Sequence, residues 1–130
     1  MQKVYTDGSC LRNPGPGGWA FAVVGTDTFC SGGEYKTTNN RMELQAVIEA
    51  LLFLPNQDLD IYTDSLLVLN CAQGLWKRKA NLDLWSEFDR LSKNRTLTWN
   101  WVRGHNGDKY NEIVDKLARK KALYYQSLYL

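Results

Sequence analysis

The hydrophobic residues of this chain follow a strand-like period first and a helical period later. An apolar run ends at about Asp7, and residues 19–24 and 28–35 are typical of two strands of a hairpin around Gly25-Thr26-Asp27. From Asn40 onwards, apolar residues recur at helical spacing until Pro55 ends the run. This half of the chain therefore predicts three antiparallel strands followed by a helix.

The second half predicts two more strands and three more helices. Residues 59–63 form the fourth strand, which the crossover helix returns to the sheet in parallel with the first strand. Further helices are predicted over 65–73, 81–92 and 109–123, with a fifth strand over 97–102. Together these elements predict one α/β domain over 1–123, a five-stranded mixed sheet flanked by helices, and a tail over 124–130 of unknown role.

Composition narrows the class of protein without naming a function. The 130 residues are 44% hydrophobic and 23% charged with a net charge of +2, which is ordinary for a soluble globular protein. Cys10, Cys30 and Cys71 have no metal-finger or redox spacing, so we expect reduced thiols. No secretion signal precedes the first strand, and the most apolar stretch, 44–54, contains charged and amide residues. A cytoplasmic protein without a membrane span is expected.

Two predicted strands end in the same three residues, Tyr5-Thr6-Asp7 and Tyr62-Thr63-Asp64. If these strands are parallel neighbours in register, the two carboxylates lie at about the ~4.8 Å strand spacing. Such anions repel one another unless a cation separates them or one is protonated. An aspartate before glycine or serine is often only a turn former or a helix cap. The repetition nevertheless favours a divalent metal site beyond the carboxyl ends of the strands.

Two further carboxylates are candidates, and each has a second interpretation. Glu43 ends a capping-box pattern that begins at Asn40, but it also faces the predicted acidic cluster if the helix starts close to it. Asp115 shares a helix face with Asn111, where a solvated charge is the ordinary explanation. Four carboxylates would balance two divalent cations, and all-oxygen ligands suit magnesium or manganese better than zinc. Such a pair of ions is typical of phosphodiester hydrolysis.

The remaining candidates are His105 and a short basic segment. His105 is the only histidine and lies in a glycine-flanked loop, which favours proton shuttling over a packed structural role. The segment Lys77-Arg78-Lys79 is either a solvated connector or a phosphate contact. Trp76 and Trp85 either belong to the core or bracket a sugar-phosphate channel, with the core favoured for Trp85. Trp19, Trp99 and Trp101 are expected to be packing residues.

As a set, these residues resemble type 1 ribonuclease H over about residues 2–123. Six blocks occur in the order of that family, and their combination is specific although each alone is weak. The blocks are Thr6-Asp7-Gly8-Ser9, Asn13-Pro14-Gly15 with Gly17-Gly18-Trp19, Thr38-Asn39-Asn40-Arg41-Met42-Glu43-Leu44, Tyr62-Thr63-Asp64-Ser65, Gly104-His105, and Asn111-Glu112 with Asp115-Lys116-Leu117-Ala118.

The resemblance implies a ribonuclease H-like fold and a two-metal-ion endoribonuclease. The expected reaction is hydrolysis of the RNA strand of an RNA/DNA hybrid, giving a 3′-hydroxyl and a 5′-phosphate, with Mg²⁺ as cofactor and Mn²⁺ as a substitute. The residues it implies as metal ligands are Asp7, Glu43, Asp64 and Asp115. His105 is implied to assist proton transfer or product release. The protein is expected to act as a monomer without an obligate protein partner.

The resemblance also implies substrate contacts. Those to the RNA strand across the minor groove are Cys10, Asn13, Asn39 and Asn40. Those to a DNA phosphate are Lys36, Thr38 and Asn81, and Trp76 is counted with the substrate contacts. For Cys10, a small packed thiol is the alternative.

The chain departs from the family pattern in two places. Many relatives carry a long basic protrusion where only residues 76–80 remain here, and Leu66 replaces a frequent glutamine. Weaker, more salt-sensitive binding or replacement contacts are both consistent with the shorter segment. Two other functions remain as alternatives, a strand-transferase or junction-resolving nuclease of the same fold and a catalytically silent hybrid-binding module.

Overall fold

The computed structural model describes residues 1–104 and 107–128, which form one five-stranded sheet with helices on both faces. The strand order is β3-β2-β1-β4-β5, with β1, β2 and β3 antiparallel and β4 and β5 parallel to β1. This mixed sheet is the predicted one. The strands are β1 Gln2–Cys10, β2 Gly15–Val23, β3 Phe29–Thr37, β4 Leu59–Thr63 and β5 Leu97–Trp101.

The pairing of β1 with β4 sets the geometry of the molecule. Tyr5 lies opposite Tyr62 and Thr6 lies opposite Thr63, as the repeated triplets predict. Because the two strands run in the same direction, the next residue of each lies at the same edge of the sheet. Those residues are Asp7 and Asp64.

Helices cover the two faces of the sheet with different kinds of core. The helices are α1 Asn39–Phe53, α2 Leu66–Ala72, α3 Leu82–Ser92 and α4 Lys109–Ser127. On one face, α1 and α3 enclose a core of large buried side chains that includes Phe21 of β2 and Trp85 and Phe88 of α3. On the other face, α4 packs against alanines of β2 through Val114 and Ala118.

Glycine allows the close approach of α4 to the sheet. A Cβ atom on Gly18 would lie 2.2 Å from the carbonyl oxygen of Ala118, which no real Cβ tolerates. The same helix continues into the predicted tail, where the ring of Tyr125 packs edge-on against Tyr35 and covers Gly33. Residues 124–127 are therefore helical.

Two expectations about local structure are wrong. β1 does not end near Asp7 but continues through Cys10, because Gly8 pairs with Trp19 and Cys10 pairs with Gly17 of β2. Trp101 is not a packing residue, since it is 47% exposed on the edge strand β5. By contrast, Trp85 is buried as predicted.

Cys10, Cys30 and Cys71 are free thiols. Within 1–104 and 107–128, no helix combines the length and apolar character needed to cross a bilayer.

Candidate active site

Three carboxylates from three different elements converge at the carboxyl edge of β1 and β4. Each of Asp7, Glu43 and Asp64 offers an oxygen within 4.8 Å of the others. Asp7 and Glu43 are buried, whereas Asp64 is half-buried. Asp115, from α4, lines the same cavity of about 380 Å³. The fold therefore gathers the four predicted carboxylates around one open space.

The backbone of Gly8 joins the first two carboxylates. Its N–H donates to Asp7 Oδ1 at 2.9 Å and to Glu43 Oε1 at 2.8 Å. A Cβ atom at this position would lie 2.3 Å from the backbone nitrogen of Glu43 and 2.4 Å from the carbonyl carbon of Met42. The absence of a side chain at Gly8 thus lets the first turns of α1 lie directly on β1, which places Glu43 beside Asp7.

We expect Gly8→Ala to damage both stability and the site. The new methyl group meets backbone atoms of α1, which cannot rotate away as a flexible side chain would. The free energy of unfolding should fall by about 1–3 kcal/mol, the usual cost of overpacking. Urea unfolding and a cleavage assay measure the two effects. The control is Gly74→Ala, at a glycine where no atom lies within 4 Å of the new Cβ but where a φ of +76° itself strains an alanine. This variant should lose some stability and keep full cleavage, so an equal loss of cleavage in both variants would contradict the close-approach explanation.

The capping interpretation of Glu43 is wrong. The N-cap of α1 is Thr38, whose hydroxyl oxygen accepts from the Arg41 N–H at 3.2 Å. The helix begins at Asn39, two residues earlier than the capping-box pattern requires, so Glu43 is its fifth residue and not its third. Its carboxylate lies too far along the helix to cap it and is bound by Gly8 instead.

The electrostatic state of the cluster reflects burial of like charges. Burial raises the pKa of Asp7 to about 7, with a hydrogen bond to Glu43 opposing the rise and the charge of Asp64 adding to it. Burial, followed by the charge of Asp7, raises the pKa of Glu43 well above its usual range. Burial also raises the pKa of Asp64. Without a counterion, the three groups thus hold protons that isolated carboxyls would release.

The donor set fits a hard divalent cation. All candidate ligands are carboxylate oxygens, which magnesium and manganese prefer. Glu43 Oε2 is buried and has no hydrogen-bond partner among the described residues. An unpartnered buried carboxylate oxygen is costly unless a cation binds it. The site therefore fits such an ion on the chemistry of its donors.

Asp115 is held by its own helix. Arg119 Nη2 lies 3.1 Å from Asp115 Oδ2, one helical turn further along α4, and the Asp115 side chain is 25% exposed. The carboxylate is thus both ion-paired and a lining group of the acidic cavity. The interpretation of Asp115 as an ordinary solvated charge explains its ion pair with Arg119 but not its place in the wall of the acidic cavity.

Several neighbours of the cluster were not identified from the sequence. Trp101 Nε1 donates to the carbonyl oxygen of Asp64 at 3.3 Å, and a Cβ on Gly104 would lie 3.2 Å from Asp64 Oδ2. Gly8 and Ser65 also line the cavity, and the sequence signal that could have identified them is that each is a small residue directly after one of the aspartates. His105 lies outside the described residues, so its role stays a prediction.

Part of the predicted RNA contact set adjoins the acidic cavity. Cys10 and Asn39 line that cavity. Asn13 Oδ1 accepts from the Asn39 N–H at 3.0 Å, which ties the β1–β2 loop to the start of α1. The Cys10 thiol is half-buried and lies 3.4 Å from the carbonyl oxygen of Thr37, so it is packed as well as adjacent to the site.

The other predicted substrate residues lie around separate concave surfaces. Lys36 lines a groove of about 580 Å³ with Arg12 and Tyr35. Asn40 and Asn81 line a cleft of about 140 Å³ beside the basic segment. Thr38 is used as the helix cap, and Trp76 is 48% exposed after α2. Lys36 therefore lines a different cavity from Asn40 and Asn81.

Comparison with known proteins agrees with the geometry. The sequence model of the RNase H family matches residues 1–123. The chain belongs to the type 1 ribonuclease H family. It is 46% identical to a ribonuclease H of Ehrlichia chaffeensis over 91% of this chain and 92% of that protein. It is 42% identical to ribonuclease HI of Brucella melitensis over 90% and 86% of the two chains.

Solved structures show the same fold. LC9-RNase H1, described as a type 1 RNase H with the type 2 active-site motif, is 33% identical with a TM-score of 0.78, covering 95% of this chain and 72% of that chain. The amino-terminal RNase H domain of a Mycobacterium tuberculosis protein has a TM-score of 0.84 over all of both chains. At 24% identity, the second likeness concerns the fold alone.

Proposed function

We propose that this ribonuclease H family member is an endoribonuclease that hydrolyses the RNA strand of RNA/DNA hybrids, giving a 3′-hydroxyl and a 5′-phosphate. The observation that carries the proposal is the convergence of Asp7, Glu43 and Asp64 within 4.8 Å, with Asp115 in the same cavity. The family name and the names of the curated relatives support this substrate and this reaction.

The four carboxylates are proposed to hold two Mg²⁺ ions, with Mn²⁺ as a substitute. When bound, such ions activate water and stabilise the leaving oxygen of the phosphodiester. The partners that fix three of these ligands are already in the protein: Gly8 for Asp7 and Glu43, and Arg119 for Asp115. Asp7 and Asp64 are proposed to share the ions, because they come from adjacent strands, with Glu43 and Asp115 each completing one side.

Other side chains around the cavity are proposed to bind the RNA and DNA strands of the substrate and to transfer protons. Donors and acceptors near the cavity suit 2′-hydroxyls, which distinguish RNA from DNA. The residues proposed for the RNA strand are Cys10, Asn13, Asn39 and Asn40. Those proposed for a DNA phosphate are Lys36, Thr38 and Asn81, and Trp76 is proposed as a further substrate contact. His105 is proposed to assist proton transfer or product release, since an imidazole titrates near neutral pH. We further propose that the protein acts as a cytoplasmic monomer.

A cleavage assay on three end-labelled duplexes tests the proposal. With magnesium, the RNA strand of an RNA/DNA hybrid should be cut internally, whereas duplex DNA should stay intact. The cleavage rate of duplex RNA, compared with that of the hybrid, measures the preference for the hybrid. The products should be extended by a DNA polymerase, which requires a 3′-hydroxyl. Excess chelator should stop all cleavage, and added magnesium or manganese should restore it.

Two outcomes would contradict the proposal. Tight binding of the hybrid without cleavage at any metal concentration would indicate a silent binding module. Cleavage of duplex DNA at the same rate as the hybrid would indicate a less selective nuclease of this fold.

A further inference from the structure

Arg41 connects the start of α1 to the start of α3. Its Nη1 donates to Asp83 Oδ1 at 2.9 Å and to Asn81 Oδ1 at 3.2 Å, while Nη2 donates to Asp83 Oδ2 at 2.8 Å. The contact with Asp83 is therefore a two-pronged ion pair. Such pairs fix the plane of the guanidinium as well as its position.

This arrangement decides the orientation of the Asn81 amide. A guanidinium carries only donors, so the amide oxygen of Asn81 faces Arg41 and the two amide N–H bonds face away. Asn81 is the N-cap residue of α3, but its side chain makes no capping hydrogen bond. The asparagine is thus held by Arg41 and not by its own helix.

The cleft beside Asn81 is rich in donors and positive charge. Asn40, Lys77 and Lys79 also line it, and both lysines are exposed. The carboxylate that is closest in sequence, Asp83, is paired with Arg41. A ligand that accepts hydrogen bonds and carries negative charge, such as a backbone phosphate, matches these groups.

Arg78 borders the cleft but does not contribute a free charge to it. Its guanidinium donates to both oxygens of Asp89 and to the carbonyl oxygen of Cys71. It also lies over the ring of Trp85, 4.3 Å from the centroid. Arg78 therefore anchors the segment over 76–80, and its neighbours Lys77 and Lys79 remain on the outside.

We propose that Arg41 is a positioning residue that, together with Asp83, turns the Asn81 amide N–H groups towards a backbone phosphate of the substrate. The inference rests on the proposed function, because the phosphate belongs to the hybrid. The Arg41–Asp83 pair has side-chain exposures of 29% and 66%, and pairs this exposed add little to stability. Orientation of Asn81 is the larger consequence of the contact.

Lysine cannot replace arginine in this role. An ammonium group keeps the charge but lacks the planar fork that engages Asp83 and Asn81 together. Arg41→Lys should therefore weaken hybrid binding by roughly ten-fold, the usual effect of losing a hydrogen bond to a charged group. The matched control is Arg90→Lys, which alters another exposed arginine–carboxylate pair, with Glu87, on α3, the helix that carries Asp83.

The test uses hybrids whose DNA strand carries one uncharged methylphosphonate linkage at successive positions. Binding is measured with calcium in place of magnesium, alongside thermal unfolding of each variant. The wild-type protein and Arg90→Lys should lose affinity at one particular linkage. Asn81→Ala and Arg41→Lys should bind the modified and unmodified hybrids equally. If Arg41→Lys fails to fold, Asp83→Asn, which leaves Arg41 intact, should show the same lost sensitivity.

The outcomes separate this inference from the proposed function. Retained linkage sensitivity in folded Arg41→Lys and Asp83→Asn would overturn the positioning role, even with a lower Tm. A wild-type protein that cleaves the unmodified hybrid but shows no sensitive linkage would also overturn it, while leaving the proposed function intact. A wild-type protein that neither binds nor cleaves the hybrid would overturn both.

Discussion

Asp7→Asn will abolish hybrid cleavage while the protein stays folded and, without metal, becomes more stable. Asp7 lies on the central strand β1, directly after its last pair with β4, and is 2% exposed within 4.8 Å of Glu43 and Asp64. An amide offers a metal one neutral oxygen, whereas a carboxylate offers two oxygens that share a negative charge. The metal-assisted cleavage rate should therefore fall by about three orders of magnitude, which is a rise of roughly 4 kcal/mol in the activation free energy. Removing one of several crowded anions relieves repulsion in the metal-free protein.

Three measurements on purified protein check this result: the cleavage rate with magnesium, the Tm with chelator at pH 8, and the rise in Tm on adding magnesium. Asp60→Asn is the matched control, on the neighbouring strand β4. Hydrogen bonds from Thr98 and Asn100 lower the pKa of Asp60, so this charge is stabilised by the fold. Its substitution should lower the Tm and leave cleavage intact. Wild-type turnover by Asp7→Asn would refute the assignment of the site.

The sheet and the meeting of its two aspartates were predictable because both follow from local patterns and one rule of topology. The repeated triplets mark where the pairing of β1 with β4 ends, and a crossover helix makes the strands parallel. The observed register, Thr6 opposite Thr63, then places Asp7 and Asp64 side by side. Neither step required knowledge of side-chain packing.

The start of α1 was not predictable at single-residue precision. Thr38, Asn39 and Asn40 are all residue types that cap helices well, so the sequence offers three competing starts. The choice is made by β3, which stays paired with β2 through Thr37 opposite Gly15 and delivers the chain to the helix at Thr38. The pairing of β2 with β3 therefore decides where Glu43 falls on its helix.

Shape complementarity accounts for the other differences. Gly8 is a residue type that is common in turns, but here the absence of a side chain allows the close contact between β1 and α1. Tyr125 follows no apolar period, yet its ring fills the space above Gly33 and extends α4 beyond residue 123. Arg78 belongs to a basic run but turns onto Trp85. Each depends on a partner in another structural element, which periodicity does not report.

Without metal, the wild-type protein will lose stability as the pH rises from about 5 to about 8. The pKa of Asp7 is raised from 3.8 to about 7, and those of Glu43 and Asp64 are also raised. A raised carboxyl pKa means that the folded state binds the proton more tightly than the unfolded state does. Stability therefore falls as the pH rises from the unfolded value through the folded value. For Asp7 alone, the loss is on the order of 2–4 kcal/mol.

Magnesium should reverse this loss, because a cation replaces the protons that hold the cluster together. The free energy of unfolding, measured with urea at pH 5.5 and pH 8 in chelator and in magnesium, should show a large metal effect at pH 8 and a small one at pH 5.5. The carboxyls with lowered pKa values, Asp60, Asp83 and Glu87, lose their contribution only in more acidic solution and do not mask the trend. Asp7→Asn should flatten both dependences, which assigns them to the site. Stability that increases towards pH 8 in chelator would mean that the folded protein carries no crowded carboxylates for a metal to relieve.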